Sequence, residues 1–347
     1  MRVLIAAGTP GFTGGGADEL AYSLERALVA AGHKAEILWV PMREDTVRLF
    51  PQLVGLRTHD FSRDADHLIS LRWPAHYLRH DRKSIWMLHE YRPLFDLAGY
   101  VGEMGALQRD DDIRSGLLAQ WELAALSEAR STFSNSRVVA DRVARSLNGF
   151  ALEVLEPPYP HMLPSAPPFP QGHHVVLLGR VAPLKRPDLA IRALAASHGS
   201  WTLTIAGVPS ADSFGEALVL LAEQLGVANR IDFRLHWISE DEKAALLARS
   251  AVVLNLAYAE DSYSYVTYEG WGAGRPVVTV TDSGGIAHAV REAGGGTVAT
   301  SDPIHLAAAI EELLNHPDHA EALGAAGRQW VDTRSTTWDR ALARLLA

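Results

Sequence analysis

The sequence predicts an α/β protein built from two tandem, doubly wound domains. Short apolar runs such as Val3–Ala7 alternate with segments of helical periodicity along the chain. These runs are almost continuously apolar, which is typical of strands buried on both faces of a parallel sheet. The alternation stops once, in a proline-rich segment at 157–170, and then starts again. A length of 347 residues suits two domains of ordinary size.

In the first half of the chain, Ser136 is expected to cap a helix that Asn148 and Gly149 end. The predicted strands are Val3–Ala7, Ala35–Val40, Leu68–Leu71, Ile85–Leu88 and Thr132–Ser134, and the predicted helices are Ala17–Ala31, Ile113–Arg130 and Val138–Leu147.

The segment 157–170 contains seven prolines among its fourteen residues. Such a segment is stiff and extended and cannot lie inside a sheet, so it predicts an interdomain linker. We expect a first domain at 1–160, a linker at 161–172 and a second domain at 173–325. The terminal helices at 326–347 are expected to cross back to the first domain.

The second half of the chain repeats the α/β alternation. The predicted strands are Val175–Leu178, Thr202–Ala206, Ile231–Phe233, Val252–Leu256 and Val277–Val280, and the predicted helices are Asp188–Ala196, Glu216–Leu225, Glu240–Arg249, a segment near Tyr265–Ala273, Pro303–Leu314, Ala320–Asp332 and Trp338–Leu346. Two Rossmann-like domains in tandem are expected to face an interdomain cleft, where small ligands usually bind.

Composition excludes several classes of function. The formal net charge of −9 disfavours general nucleic-acid binding. The absence of cysteine excludes disulfides, thiolate metal sites and cysteine nucleophiles. No run of about 18 apolar residues predicts a membrane span, and the N-terminal apolar run is too short for a signal peptide.

Two cations and two acids lie where predicted strands give way to helices. Arg180 and Lys185 are five positions apart after a buried strand, and seven residues separate Asp261 from Glu269. Cations suit a diphosphate, and a carboxylate accepts hydrogen bonds from two neighbouring hydroxyls. The alternatives are solvated surface cations, a helix N-cap for Asp261 and an exposed helical acid for Glu269. Glycines directly after Glu269 favour crowded surroundings.

A glycine-rich loop, Gly8–Gly16, leads into the first helix and can present amide groups to an anion. It lacks the spacing G-x-G-x-x-G, and no acid ends the second strand. Both observations disfavour a dinucleotide-dependent oxidoreductase.

Together these motifs resemble the retaining glycosyltransferases of family four, which have the two-domain GT-B fold. The likeness covers most of the chain in the expected order. The matching residues are Gly15-Gly16, Gly179-Arg180 with Lys185, Asp261 with Glu269, Gly272–Val278 and Gly284-Gly285.

The resemblance implies roles for the charged residues. Arg180 and Lys185 would hold the diphosphate of a sugar nucleotide and neutralise it as it departs. Glu269 would accept from the ribose hydroxyls, and Asp261 would hold sugar hydroxyls beside the anomeric carbon.

The resemblance also implies contacts from smaller groups. Gly15 and Gly16 would present amides to the phosphate or sugar, and His89 would lie near the transferred sugar. A hydrogen-bonded histidine at a strand end is the alternative for His89.

The chain departs from the family pattern around the first acid. The family has Glu where this chain has Asp261, and Glu260 comes just before it, so both remain candidates for the sugar-facing acid. Ser262, Tyr263 and Ser264 replace Gly-Phe-Gly, and we expect their amides to serve the diphosphate while their side chains reshape the sugar pocket.

We therefore expect a retaining, hexosyltransferase-like enzyme of polysaccharide biosynthesis in the cytoplasm, at most in peripheral contact with the inner face of a membrane. It would move a sugar from a nucleoside-diphosphate sugar to a hydroxyl of a glycan, glycolipid or small molecule, with no metal or other cofactor. The alternatives are a non-catalytic sugar-nucleotide-binding protein and a GT-B-type epimerase. Basic residues between Arg57 and Arg92 indicate either an anionic acceptor or a solvated face.

Overall fold

The computed structural model describes residues 1–9, 16–42, 48–98, 100–102, 105–106, 112–159, 166–261, 264–334 and 336–347. The chain divides into two compact units. The first comprises Met1–Pro160 with Ser335–Ala347, and the second comprises His161–Arg334. Within the described residues, we find no helix with the length and apolar character needed to cross a membrane.

The first unit contains a six-stranded parallel sheet with the order β2-β1-β3-β4-β7-β8 and a small antiparallel hairpin, β5-β6. The strands are β1 (Arg2–Thr9), β2 (Lys34–Pro41), β3 (His67–Ser70), β4 (Lys83–Met87), β5 (Val101–Gly102), β6 (Gly105–Ala106), β7 (Ser131–Ser134) and β8 (Glu153–Val154).

In the described part of the first unit, the α-helices before residue 160 are α1 (Gly16–Ala30), α2 (Leu49–Arg57), α3 (Asp112–Ser127) and α4 (Arg137–Ser146). The Ser136 side chain accepts from the Val139 amide and caps α4, as the sequence predicts. Asn148 and Gly149 adopt positive φ angles of 51° and 85° just beyond this helix, where glycine and asparagine are the favoured residues.

The second unit contains a six-stranded parallel sheet with the order β11-β10-β9-β12-β13-β14. Its strands are β9 (His174–Leu178), β10 (Thr202–Ala206), β11 (Ile231–Arg234), β12 (Val252–Leu254), β13 (Val277–Val280) and β14 (Gly296–Ala299). Its helices are α5 (Pro187–Ala196), α6 (Asp212–Gln224), α7 (Glu240–Arg249), α8 (Tyr265–Gly272), α9 (Gly285–Ala293), α10 (Pro303–Asn315) and α11 (Pro317–Arg334).

The last helix, α12 (Trp338–Leu345), packs within the first unit although it follows the second in sequence. Trp338 contacts Trp86 of β4 edge-to-face, with ring centroids 6.4 Å apart. The Ser84 hydroxyl donates to the Leu345 carbonyl at 2.6 Å. The end of the chain therefore completes the core of the unit that contains its beginning.

Sequence periodicity misses several short elements, among them α2, β8, α9 and β14. The strand β14 begins inside the run Gly294–Gly296, which by itself predicts a turn. It forms because it pairs with β13, with Val277 opposite Gly296 and Val280 opposite Ala299. A neighbouring strand thus supplies what local propensity lacks.

Candidate functional site

Three loops of the second unit leave adjacent strands at the same edge of its sheet. They follow β9, β12 and β13, which are neighbours in the strand order. The carboxyl edge of a parallel sheet is where α/β proteins bind ligands. The charged site residues predicted for this unit lie in or just after the first two of these loops.

The loop after β9 carries both predicted cations. Gly179 opens it with φ 110°, and Gly207 of the next loop lies so close that a Cβ there would be 1.9 Å from the Gly179 carbonyl oxygen. Arg180 is exposed to solvent, and its side chain makes no hydrogen bond or ion pair with the described residues. A cation in this position is available to an anionic ligand.

Lys185 forms an ion pair with Glu260 of the loop after β12. Both side chains are largely covered, with 32% and 18% of their surface exposed. The loops are also joined through their backbones, since the Tyr258 amide donates to the Leu184 carbonyl at 2.8 Å. The structure thus brings together a predicted cation and a predicted acid that are 75 positions apart.

The loop after β12, which we call the acid loop (Asn255–Ser264), contains unusual backbone conformations on both sides of Asp261. Ala259 and Ser264 have positive φ angles of 46° and 63°, which cost free energy in residues other than glycine and are often found at functional sites. Asp261 itself is buried, with 8% exposed. Ser262 and Tyr263 lie outside the described residues, whereas Ser264 directly precedes α8.

Glu269 lies on α8 and is paired with Lys243 of α7 at 2.6 Å. Lys243 also contacts Glu240 at 2.8 Å. Burial disfavours the charge on Lys243, but the carboxylates of Glu269 and Glu240 outweigh this effect and raise its pKa. Lys243 is a member of the site that the sequence did not reveal, because only the tertiary fold brings α7 beside α8.

The helix α8 lies close to the sheet, as the glycines after Glu269 predict. A Cβ on Gly270 would be 3.3 Å from the side chains of Val253 and Val277. The Asn255 amide donates to the Thr267 hydroxyl at 3.1 Å and ties the helix to the end of β12. Glu269 is therefore carried by a helix with little freedom to shift.

Arg186, which follows Lys185, was not predicted from the sequence either. It adopts a left-handed conformation at φ 49° and ψ 51° and is 9% exposed. Its guanidinium pairs with Asp282 of the loop after β13 through two hydrogen bonds of 2.8 and 2.9 Å. Lys185 and Arg186 are adjacent in sequence, yet their ion-pair partners, Glu260 and Asp282, lie on different loops.

Gly284, in the predicted Gly-Gly pair, lies against the acid loop. It has φ 60°, and a Cβ there would be 2.5 Å from the Glu260 carbonyl oxygen. The Gly285 amide donates to that same oxygen at 2.9 Å. The glycine pair positions the acid loop through backbone contact rather than through side chains.

The remaining predicted residues belong to the first unit. Gly15 lies outside the described residues, and Gly16 begins α1. In the first turn of that helix, Asp18 is 3.9 Å from Arg72, which follows β3.

His89 lies at the end of β4 and is partly buried. Its Nδ1 is 2.8 Å from the Glu90 carbonyl oxygen, and because a carbonyl only accepts, Nδ1 carries a proton. Burial, together with the positive charge of Arg72, lowers the pKa of His89 to about 4. The imidazole is therefore neutral at neutral pH, and Nε2 can accept a hydrogen bond from a hydroxyl.

The basic segment between Arg57 and Arg92 is largely engaged within its own unit. Lys83 is buried and donates to the carbonyls of His76 and Leu78 at 2.9 and 3.2 Å. Arg57 pairs with Glu128 at 2.5 Å and Arg92 with Asp96 at 2.9 Å. These contacts give Lys83, Arg57 and Arg92 a structural role, which differs from both the anionic-acceptor site and the solvated face expected from the sequence.

Other features lie away from this edge. Within the described residues, no group of three or more His, Asp or Glu side chains is arranged to hold a metal ion. A pocket of about 240 Å³ lies between the segment Phe169–His173 and the end of α10. Because β9 begins at His174, this pocket is at the opposite edge of the sheet from the charged loops.

The second unit matches a known family by sequence. The profile described as Glycosyl transferases group 1 covers residues 166–330. D-inositol 3-phosphate glycosyltransferase from Mycobacterium leprae is 30% identical over 224 residues, which is 63% of this chain and 51% of the relative. The protein of the same name from Mycobacterium avium is 33% identical over 225 residues, 63% of this chain and 52% of the relative. The chain thus spans about half the length of the curated relatives it matches.

Solved structures match the fold over nearly the whole chain. HepE from Anabaena, in complex with UDP and glucose, has a TM-score of 0.74 at 15% identity, and the match covers 100% of this chain and 99% of HepE. Sucrose-phosphate synthase from Thermosynechococcus elongatus has a TM-score of 0.75 at 18% identity, covering 99% and 96%. WaaG, a glycosyltransferase involved in lipopolysaccharide biosynthesis, has a TM-score of 0.67 at 17% identity, covering 99% of each chain.

These comparisons confirm both the predicted architecture and the predicted family resemblance. Every charged site residue named in the second unit, from Arg180 to Asp282, lies inside the matched range 166–330. The second unit is therefore a member of the glycosyl transferases group 1 family, in a chain with the GT-B fold.

Proposed function

We propose that this protein is a retaining glycosyltransferase that moves a sugar from a nucleoside-diphosphate sugar to a hydroxyl acceptor without a metal ion. The observation that carries the proposal is the ion pair between Lys185 and Glu260 at the carboxyl edge of β9 and β12. Arg180 is exposed on the same loop as Lys185. Membership of the second unit in a glycosyltransferase family supports the same activity.

The reaction breaks the bond between the sugar and the diphosphate, and negative charge grows on the departing diphosphate. Arg180 and Lys185 would stabilise that charge more strongly in the transition state than in the bound donor, which is the source of rate acceleration. In this scheme Lys185 exchanges part of its contact with Glu260 for the diphosphate. The family resemblance assigns the role of base to an oxygen of the leaving diphosphate.

Each acid has its own task in this proposal. Glu269 would accept from the ribose hydroxyls while Lys243 holds its carboxylate in place. Asp261, or Glu260 beside it, would align the sugar for departure. His89 is neutral and would accept from a sugar hydroxyl through Nε2.

The choice of donor is tested first. HepE has been crystallised with UDP and with UDP-glucose, so uridine diphosphate sugars lead the panel. A bound donor raises the apparent melting temperature by mass action, so a thermal-shift screen of sugar nucleotides identifies the base and the sugar. Because the curated relatives are named D-inositol 3-phosphate glycosyltransferase, an inositol phosphate is among the first acceptors to be tried, together with glycans and glycolipids.

Product analysis with the best donor distinguishes the alternatives. A glycoside with the anomeric configuration of the donor supports the proposal. Donor that is bound but neither hydrolysed nor transferred would indicate a binding protein, and an isomerised donor would indicate an epimerase. Inverted product would refute the retaining mechanism.

Metal independence has its own test. We expect transfer to continue in the presence of a strong chelator, since Arg180 and Lys185 are proposed to neutralise the diphosphate. Complete loss of transfer, restored by magnesium or manganese, would refute this part of the proposal.

A further inference from the structure

The side chain of Arg186 joins the three loops that make up the charged edge of the second unit. Its Nε donates to the Leu256 carbonyl at 2.7 Å, in the segment that follows β12. Its two terminal nitrogens donate to the two carboxylate oxygens of Asp282, after β13. The guanidinium carbon also lies 5.5 Å from the centre of the Tyr258 ring.

The same three loops are joined through their backbones close to these side-chain contacts. The Ala259 amide donates to the Asp282 carbonyl at 2.8 Å, and the Tyr258 amide donates to the Leu184 carbonyl at 2.8 Å. The two residues before Glu260 are thus each hydrogen-bonded to one of the neighbouring loops that Arg186 connects. Ala259 keeps an unfavourable φ of 46°, which persists only where surrounding contacts over-determine it.

Arg186 is well suited to this task. A guanidinium matches a carboxylate with two parallel hydrogen bonds, which fixes orientation as well as distance. The residue is 9% exposed, so water competes weakly for these bonds. The left-handed backbone at Arg186 sends its side chain towards Asp282, while Lys185 reaches Glu260.

We propose that Arg186 and Asp282 are positioning residues that set the acid loop, and with it Glu260 and Asp261, relative to Lys185. The catalytic part of this inference rests on the proposed glycosyl transfer. Neither side chain needs to touch the substrate. Their effect is on the alignment of the sugar with the departing diphosphate, to which transfer rates are steeply sensitive.

The test uses the full-length protein and the variants Arg186→Gln, Asp282→Asn and their combination. Gln and Asn keep polarity and much of the side-chain size, and Gln has the same backbone requirement as Arg at position 186. Hydrogen exchange reports the loops directly. We expect the amides of Tyr258, Ala259 and Gly285 to exchange faster in both single variants, while the melting temperature changes little.

Kinetics with the best donor report the consequence for transfer. We expect kcat to fall about 10- to 100-fold in each single variant, while the Kd of the free nucleoside diphosphate stays within about threefold, because Glu269 and Lys243 are untouched. The double variant should lose no more than Arg186→Gln, since two partners of one contact are not additive.

Arg230→Gln is the matched control. Arg230 also bridges segments of this unit, by donating to the carbonyls of Trp201 and Gly199 at 3.2 and 2.9 Å, but at the opposite edge of the sheet. The Arg230→Gln variant should leave kcat and the hydrogen exchange of the acid loop unchanged. An equal loss of kcat in Arg230→Gln would show that any loosening of the unit is sufficient, and would overturn the positioning role.

Two further results would also overturn the inference. One is unchanged exchange in the acid loop of both single variants. The other is a parallel loss of nucleotide affinity and kcat with a large drop in melting temperature, which a merely structural role predicts. A wild-type protein that neither binds nor turns over any sugar nucleotide would refute the proposed function instead, and hydrogen exchange would then decide whether Arg186 and Asp282 hold the loops.

Discussion

Lys185 and Glu269 each contact a side chain of opposite charge in the second unit, and a donor would have to share or displace that contact. Lys185 is held by Glu260, and Glu269 is held by Lys243 at 2.6 Å. Such pairs reduce the desolvation penalty of partly buried charges while keeping them in place. Arg180 is exposed, so the proposed donor would contact its positive charge without breaking an ion pair among the described residues.

Removing either cation should slow transfer. We expect Arg180→Ala and Lys185→Ala to lower kcat/KM by about 10²-fold or more, because one charge stabiliser of a transition state contributes roughly 2.7–4 kcal/mol. Steady-state kinetics with the best donor measure the effect, and circular dichroism checks the fold. Arg137→Ala, which removes an exposed cation paired with Asp141 in the first unit, is the control. Activity within a few-fold of wild type in both variants would refute the role of these cations.

Substitutions of Glu269 and Asp261 should have different kinetic effects. Glu269→Ala should mainly raise the KM for the donor, because a ribose contact exists before and during the reaction alike. Asp261→Ala should mainly lower kcat, because the sugar would no longer be aligned with the departing diphosphate in the transition state. Full kinetics at varied donor concentration separate the two effects.

Glu260→Ala decides which acid faces the sugar. If Asp261 has that role, Glu260→Ala should have a smaller effect than Asp261→Ala, since the Glu260 carboxylate then contacts Lys185 and not the sugar. A large loss of kcat in Glu260→Ala together with a small loss in Asp261→Ala would show that Glu260, one residue earlier, is the sugar-facing acid.

Glu90, next to His89, should make stability depend on pH. Burial raises the pKa of Glu90 to about 7 from an ordinary value of 4.5. The folded state then holds a proton that the unfolded chain has lost, so stability should fall as pH rises from about 4.5 through 7. Above about pH 5, the free energy of unfolding in urea should therefore fall with pH in the wild type more than in Glu90→Gln. If the free energies of the two proteins change with pH in parallel, Glu90 does not have this role.

At the scale of elements, the site depends on loops that leave β9, β12 and β13 and touch through their backbones. Sequence patterns locate most of these strands, because buried parallel strands are continuous apolar runs between turn residues. They miss α9 and β14, whose short segments adjoin several glycines and form by packing and pairing. They also miss the contact of Gly284 with the acid loop, which depends on strand order.

Gly284→Ala should displace the acid loop. The new Cβ would lie 2.5 Å from the Glu260 carbonyl oxygen, so either loop must move. We expect kcat to fall by about tenfold or more through misalignment. Gly226→Ala is the control, because it also places alanine at positive φ, 71°, but with open space around the new methyl group. Both variants should lose stability because alanine disfavours a positive φ, and the loss should be larger in Gly284→Ala because of the contact with Glu260. Only Gly284→Ala should lose activity.

At the scale of the whole molecule, the first unit is built from both ends of the chain. Leu345 of α12 is fully buried in the core that also contains Ile5, Leu24 and Trp86. The first unit therefore cannot complete its core until the segment that follows the second unit has joined it.

Leu345→Ala should destabilise the first unit. Truncating a buried leucine typically costs about 2–5 kcal/mol, through lost burial and the cavity left behind. Leu346→Ala is the matched control, because this neighbouring leucine is only partly buried against the same core. Denaturant unfolding, monitored by hydrogen exchange, should show that the first unit opens at lower denaturant concentration in Leu345→Ala alone. Equal stability of the two variants would contradict the role of α12.

The sequence by itself determined the α/β class, most strands and helices, and the charged residues to examine. Each depends on local information, such as an apolar run, a cap like Ser136 or the spacing of Asp261 and Glu269. Tertiary structure decided which charges meet. The fold brings Lys243 of α7 beside Glu269 of α8, and Arg186 lies beside Asp282 because β9 lies two strands from β13. Contacts across 26 and 96 positions depend on the order of strands in a sheet, which no local pattern contains.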